Sequence, residues 1–214
     1  DLLGYYTLGS LAHGGFNRRY SDIDIAVISE NGLSDELIKD ARHRAVQLSS
    51  TLGPKLSVFW SNRNFSASRL RALDRIDYID HAKAIYEKER VTPTRPTQAE
   101  IHEYLRGDPL TSWQQTAAYF ASEEKLKPDD HKKYLRAHLY AARFAYSWLS
   151  LNIASNDTAV AFLIDNPVKG LDMDLICRAL ECRHNAYDPD GLFSDRTKIL
   201  KQIAACKSLT SLRL

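Results

Sequence analysis

The sequence has few cysteines, no long apolar run and almost no excess of charge of either sign. Its three cysteines, Cys177, Cys182 and Cys206, are an odd number at a spacing that fits no common zinc motif. We therefore expect free thiols in a reducing, cytoplasmic compartment rather than a disulfide framework. No apolar stretch reaches the roughly 20 residues that a membrane span needs. The start also lacks the basic segment of a signal peptide, and because it is Asp1 rather than Met we expect a segment upstream.

The charge balance argues against one broad class of partner. Lys and Arg number 29 and Asp and Glu 27, which gives a formal net charge of +2. Proteins that follow the phosphate backbone of nucleic acids usually carry a clear basic excess. We therefore expect no general nucleic-acid binding. The 214 residues, 44% of them hydrophobic, suffice for one or two globular domains.

Strand patterns fill the first part of the chain. Short apolar or alternating segments there are separated by turn residues, and one helix is predicted from an N-cap at Ser34 to about Ser49. Between residues 70 and 85 the pattern gives only two apolar pieces. The predicted strands are 2–8, 22–29, 55–60 and 84–86.

Helical spacing of apolar residues dominates the rest of the chain. Val91–Thr97 has two prolines and no periodicity, which is typical of a linker. Strands first and helices later predict an α+β domain at 1–90, a linker at 91–98 and a helical bundle at 99–214. The predicted helices of the second part are 97–104, 111–124, 131–151, 156–165, 172–186 and 195–209.

Two carboxylates open the second predicted strand. Asp22 and Asp24 are one residue apart, so on a strand they project to the same face, about 6–7 Å from each other. Two like charges at that spacing repel unless a cation lies between them. Mg²⁺ is the natural cation, because proteins usually hold it by one or two carboxylates together with substrate phosphates.

A glycine turn precedes these carboxylates. Gly9 lets backbone N–H groups approach a phosphate, and Ser10 adds a hydroxyl donor. A turn that holds phosphate beside a pair that holds metal suits phosphoryl or nucleotidyl transfer. The glycine turn alone or the acidic pair alone is a weak signal, since such an acidic pair is most often a solvated strand end. The ordered combination, with Ser21 directly before the pair, is far more specific.

With these residues in place, segment 5–28 resembles the signature of the polymerase-beta-type nucleotidyltransferase superfamily. The resemblance is greatest to small bacterial members, such as the streptomycin/spectinomycin adenylyltransferases and the minimal nucleotidyltransferases of toxin–antitoxin pairs. In the second part, the segments Arg143–Tyr146 and Ile153–Asp157 are similar to the arginine-containing helix and the following turn of the aminoglycoside adenylyltransferases.

The resemblance implies a small mixed sheet with helices, followed by a helical domain. It also implies transfer of AMP from Mg-ATP to a hydroxyl group of a small molecule, aminoglycoside-like or of another kind, with release of pyrophosphate. The expected ligands are thus Mg²⁺, ATP and that acceptor. A protein partner is an alternative, and no membrane is involved. The implied site residues are the catalytic metal ligands Asp22 and Asp24 and the nucleotide-binding residues Gly9, Ser10, Ser21 and Arg143.

Two positions depart from the family pattern. Ser57 stands where the family has a third carboxylate, and serine is a poor base without a partner. Asn156 stands where the adenylyltransferases carry a lysine. Three readings stay open: an enzyme in which another carboxylate or the metal alone activates the acceptor, an antitoxin-like protein that modifies or binds a protein partner, and an ATP-binding pseudoenzyme. The nearest acidic cluster, Asp74, Asp77 and Asp80, has no place in the predicted fold.

Overall fold

A computed structural model describes residues 1–211 of the chain. The residues form two compact units, which divide between Pro96 and Thr97. We call them the N-terminal unit and the C-terminal unit. Within the described residues, no helix combines the length and the apolar character needed to cross a membrane.

A four-stranded mixed sheet forms the N-terminal unit, with the strand order β3-β2-β1-β4. Strand β1 pairs in antiparallel fashion with both β2 and β4, whereas β2 and β3 are parallel. The mixed sheet implied by the resemblance is therefore confirmed. The strands are β1 (Leu2–Leu8), β2 (Ile23–Ser29), β3 (Leu56–Asn62) and β4 (Lys83–Glu87).

Three helices accompany the sheet, and local sequence explains the longest one. The Ser34 hydroxyl accepts the Leu37 N–H at 3.2 Å, which satisfies one of the amides that a helix start leaves without a partner. The predicted start of this helix is confirmed. The helices are α1 (Ser10–His13), α2 (Asp35–Leu48) and α3 (Ala72–Asp80).

Helix α3 was not predicted, because the sequence of this region shows only two short apolar segments. Ala72 and Ile76, one helical turn apart, are both buried. The Tyr78 ring meets the Tyr6 ring edge-on, with centroids 5.1 Å apart, so α3 covers the face of the sheet that carries Tyr6. That face forms the core of the unit, which contains Leu3, Tyr6, Leu8, Ala26, Ile28, Leu70 and Tyr78.

Helices make up the described part of the C-terminal unit, as predicted. Most of α6 is buried, and α7, α8 and α9 pack against it. A capping box starts α4, because the Thr97 N–H donates to the Glu100 carboxylate at 2.8 Å and the Glu100 N–H donates to the Thr97 hydroxyl. The helices are α4 (Gln98–Arg106), α5 (Asp108–Ser122), α6 (His131–Ser150), α7 (Asn156–Asp165), α8 (Met173–His184) and α9 (Lys198–Leu209).

Candidate active site

The Gly9 turn lies directly against the carboxylate of Asp24. Gly9 has φ 59° and ψ −146°, a conformation that residues with a side chain rarely adopt. A Cβ atom built on Gly9 would collide with Asp24, whose Cγ is 3.2 Å from that position. Both the backbone conformation and the close approach therefore require glycine. The structure thus brings the two halves of the sequence motif together.

Backbone hydrogen bonds fix the turn at the start of α1. The Gly9 carbonyl accepts the N–H groups of Ala12 at 2.9 Å and His13 at 3.0 Å. Ser10 and Leu11 open the helix, and amides at a helix start have no carbonyl partner within the helix. The Ser10 hydroxyl and these amides are donor groups of the type that a phosphate needs.

The two predicted metal ligands lie at the start of β2. Asp24 is the second residue of the strand and stands opposite Leu8 on β1. Asp22 is the residue directly before the first residue of β2. Both side chains are partly exposed. That Asp22 projects to the same face as Asp24 stays a prediction, because Asp22 lies outside the paired strand.

A serine occupies the strand position beside Asp24. Strands β2 and β3 are parallel, and Asp24 is in register with Ser57. Residues in register on neighbouring strands project to the same face. None of the seven residues of β3 is acidic. The position at which the family pattern has its third carboxylate thus carries a hydroxyl group.

The acidic cluster that the sequence could not place lies on α3. Asp77 is 3% exposed, and its Oδ2 atom accepts the Gly9 N–H at 2.6 Å. Burial raises the pKa of Asp77, while the hydrogen bond from Gly9 and the nearby rings of His13 and His81 lower it. One residue of the cluster faces outward, since Asp80 pairs with Arg95 at 2.7 Å.

Asp74 is the other inward member of the cluster. Its Oδ2 atom accepts the Arg71 N–H at 3.0 Å. Burial raises the pKa of Asp74 to about 7, and the charges of Asp77 and Asp24 act in the same direction. A helical reading of residues 72–80 would have placed Asp74 and Asp77, three residues apart, on one side of the helix.

Ser21 shapes the loop that leads into the acidic pair. It is 3% exposed, and its Oγ atom accepts the Asn17 N–H at 2.9 Å. The Lys55 ammonium donates to the carbonyls of Arg18 and Arg19, which fastens the same loop to the segment just before β3. The predicted contact of Ser21 with a nucleotide stays a prediction.

Arg143 belongs to α6 in the C-terminal unit, where it is partly buried. Arg136, Tyr140 and Arg143 follow one another at intervals of four and three residues, on one side of the helix. The Trp113 ring stacks on Tyr140 with centroids 5.0 Å apart, and the Arg136 guanidinium lies 5.9 Å from the Trp113 centroid. The predicted contact of Arg143 with nucleotide phosphates stays a prediction.

The donor set at the start of β2 suits Mg²⁺ shared with a phosphate. In the part of the chain that the structure describes, no group of three or more His, Cys, Asp or Glu side chains is arranged to hold a metal ion. Asp22 and Asp24 nevertheless offer hard carboxylate oxygens, and Mg²⁺ typically takes one or two of these and completes its shell with phosphate oxygens and water. The approach of Asp24 to the Gly9 turn provides a place for that phosphate.

Comparisons with known proteins agree with this geometry. Residues 3–103 match the family model described as a nucleotidyltransferase domain, a range that holds Gly9, Ser10, Asp22 and Asp24. Curated proteins gave no match. One similar solved structure is that of spectinomycin adenyltransferase AAD(9) from Enterococcus faecialis with ATP and spectinomycin, at a TM-score of 0.63 and 11% identity over 99% of this chain and 92% of that chain. At this identity the likeness shows the fold alone. Given the match over these motif residues, residues 3–103 are a nucleotidyltransferase domain, which supports the resemblance of the motif to the polymerase-beta-type superfamily.

Proposed function

We propose that the protein is a Mg²⁺-dependent nucleotidyltransferase that transfers AMP from ATP to a hydroxyl group of a small molecule and releases pyrophosphate. The observation that carries the proposal is the approach of the Gly9 turn to Asp24, whose Cγ is 3.2 Å from the Cβ position of the glycine. A phosphate held by the turn would therefore lie next to the carboxylate that would hold the metal.

Each residue of the proposed site has a distinct task. The amide and hydroxyl of Ser10 would donate to the terminal phosphates. Asp22 and Asp24 would hold Mg²⁺, which when bound neutralises negative charge on the triphosphate. Arg143 would add a planar guanidinium, which suits phosphate oxygens, and Ser21 would support the nucleotide from the loop before Asp22.

In the proposed reaction, an acceptor oxygen bonds to the α-phosphorus while the bond to pyrophosphate breaks, and the hydroxyl proton passes to a carboxylate of the site or to water. The spectinomycin adenyltransferase AAD(9) of similar fold was solved with ATP and spectinomycin, which supports ATP as the donor and a polyhydroxylated small molecule as the acceptor class. The family-model match covers the turn and both carboxylates, which supports their assignment to one site.

A double substitution tests the site. We expect the wild-type protein to bind Mg-ATP in a calorimetric titration, and Asp22→Asn with Asp24→Asn to abolish the Mg²⁺-dependent part of that binding. Glu36→Gln with Asp40→Asn, two exposed positions on α2, removes the same charge and should bind as the wild type does. Failure of the wild-type protein to bind at millimolar Mg-ATP, or unchanged binding by the double variant, refutes the proposal.

One observation favours a second candidate function, an ATP-binding pseudoenzyme. Ser57 stands in register with Asp24, so β3 offers no carboxylate to activate an acceptor hydroxyl. The two candidates separate in an assay with ATP labelled in its α-phosphate and a panel of aminoglycosides and other polyols. Pyrophosphate release with labelled acceptor supports the enzyme, whereas binding without release supports the pseudoenzyme. Label on a co-purified protein would instead indicate the antitoxin-like alternative.

A further inference from the structure

The carboxylate of Asp77 has no place in the proposed chemistry, yet it is bonded directly to the Gly9 turn. Its Oδ2 atom accepts the Gly9 N–H at 2.6 Å, and the residue is 3% exposed. Its Oδ1 atom is buried without a hydrogen-bond partner among residues 1–211. Burial of an incompletely paired carboxylate is unfavourable, so packing alone does not explain this residue.

The Gly9 peptide needs an external partner to hold its conformation. Glycine adopts many backbone conformations about equally well, so the local chain does little to select φ 59° and ψ −146°. The carbonyl side is fixed within α1 by the N–H groups of Ala12 and His13. The N–H side is fixed by Asp77, which comes from a different helix, 68 residues along the chain.

The end of α3 provides a firm base for this contact. The backbone carbonyl of Asp77 accepts the N–H groups of His81 at 2.9 Å and Ala82 at 3.1 Å, which closes the helix. The His81 ring also meets the His13 ring edge-on, with centroids 5.8 Å apart and planes at 75°. Two separate contacts therefore tie α3 to the turn and α1.

We propose that Asp77 is a positioning residue for the nucleotide phosphates: it fixes the Gly9 peptide and thereby sets the Ser10 donors at the correct distance from Asp24. This inference rests on the proposed function, because it assigns the turn to phosphate. A Cβ atom built on Gly9 would point at the Asp24 carboxylate. A rotation of the Gly9 peptide would therefore also change the distance between the turn and this carboxylate. Asp77 itself touches no phosphate.

The role requires a hydrogen-bond acceptor rather than a negative charge, since a charge behind a phosphate site repels the ligand. Asp77→Asn keeps an acceptor in the same shape. Asp77→Leu removes the acceptor and keeps the branched shape of the side chain, and Asp77→Ala removes it without added bulk if leucine prevents folding. Ile76→Ala, at the neighbouring fully buried position, is the control for a loss of stability that leaves the acceptor in place.

The affinities for Mg-ATP and Mg-tripolyphosphate, measured by calorimetry at a temperature where circular dichroism shows every variant folded, test the inference. Asp77→Leu should weaken both ligands by the same factor, about tenfold or more, because the turn holds the phosphates they share. Asp77→Asn should stay within about threefold of the wild type, as should Ile76→Ala.

The Gly9 amide gives a readout that needs no ligand. A hydrogen bond to a side-chain oxygen moves the resonance of the Gly9 amide proton downfield and slows the exchange of that proton with solvent. In NMR spectra we expect both features in the wild type, Asp77→Asn and Ile76→Ala, and neither in Asp77→Leu.

The outcomes separate the two proposals. If Asp77→Leu and Asp77→Ala bind as the wild type does, or if Ile76→Ala loses as much affinity as they do, Asp77 is not a positioning residue and the proposed function stands. If the wild-type protein does not bind Mg-ATP, the proposed function fails and this inference fails with it.

Discussion

Ser57 is the residue on which the choice between an enzyme and a pseudoenzyme depends. It stands in register with Asp24 on the neighbouring parallel strand, so its side chain projects to the same face of the sheet. A hydroxyl group there neither adds negative charge to a metal site nor accepts a proton readily. The sequence resemblance placed Ser57 at this position, and the strand register places it beside Asp24.

Ser57→Glu restores a carboxylate at this position. We expect it to tighten Mg²⁺-dependent ATP binding and to raise pyrophosphate release by about tenfold or more, because a third carboxylate strengthens metal binding and can accept the acceptor proton. Without Mg²⁺ the same change should weaken ATP binding by charge repulsion. Ser57→Gln, of equal size and without charge, is the control. If glutamate and glutamine give equal results, the position does not contribute to the site.

At the scale of the element, α3 shows where the sequence pattern stopped being informative. Strand β1 follows from a short apolar and aromatic run and the start of α2 from the Ser34 cap, and both are local signals. In α3 a buried position is filled by Asp77 instead of an apolar residue, which breaks the pattern. What permits an acid there is the Gly9 N–H, 68 residues away in sequence, and a contact of that kind leaves no local trace.

The candidate site also has a part that local sequence predicts and a part that it does not. Gly9, Ser10 and Asp24 are close in sequence and lie on or directly beside two paired strands, so their approach follows from motif order and strand geometry. The contact of Asp77 on α3 with the Gly9 turn does not follow from motif order and strand geometry. It depends on how the segment after β3 returns across the sheet. An interval of three between Asp74, Asp77 and Asp80 was the one local hint.

Asp74 makes the stability of the N-terminal unit decrease as the pH rises. Burial raises its pKa to about 7 from 3.8, so between these values the folded state binds more protons than the unfolded state does. The carboxyl group therefore stabilises the metal-free N-terminal unit least at high pH, and stability is lost as the pH rises towards and through 7. At about 1.36 kcal/mol per pKa unit, the loss is at most about 4 kcal/mol.

Asp74→Asn should remove this loss. Hydrogen exchange of the β1 and β2 amides between pH 4.5 and 8, compared at equal intrinsic exchange rates, reports the stability of the N-terminal unit alone. The variant should gain protection relative to the wild type as the pH rises. Asp80→Asn, on the outward side of α3, should not. Parallel profiles for Asp74→Asn and the wild type would contradict the assignment.

At the scale of the whole molecule, the compositional change along the chain predicts a boundary between two kinds of structure. The described structure divides between Pro96 and Thr97, inside the predicted linker 91–98. A linker rich in proline separates segments whose apolar residues have the spacing of strands from segments whose apolar residues have the spacing of helices. The two spacings require differently built cores. Each unit buries a titratable group whose pKa is shifted, a carboxyl at Asp74 and an imidazole at His138.

His138 makes the C-terminal unit respond to pH in the opposite sense. It is fully buried in α6, neither ring nitrogen has a hydrogen-bond partner within residues 1–211, and burial lowers its pKa to about 4 from 6.5. The unfolded state binds more protons between these values, so stability is complete above pH 6.5 and falls, by at most about 3 kcal/mol, as the pH drops through 4. His138→Leu should flatten this acid response in the exchange of α6 amides, whereas His184→Gln, at an exposed position of α8, should retain it. The acid response would have another source if His138→Leu kept the wild-type profile.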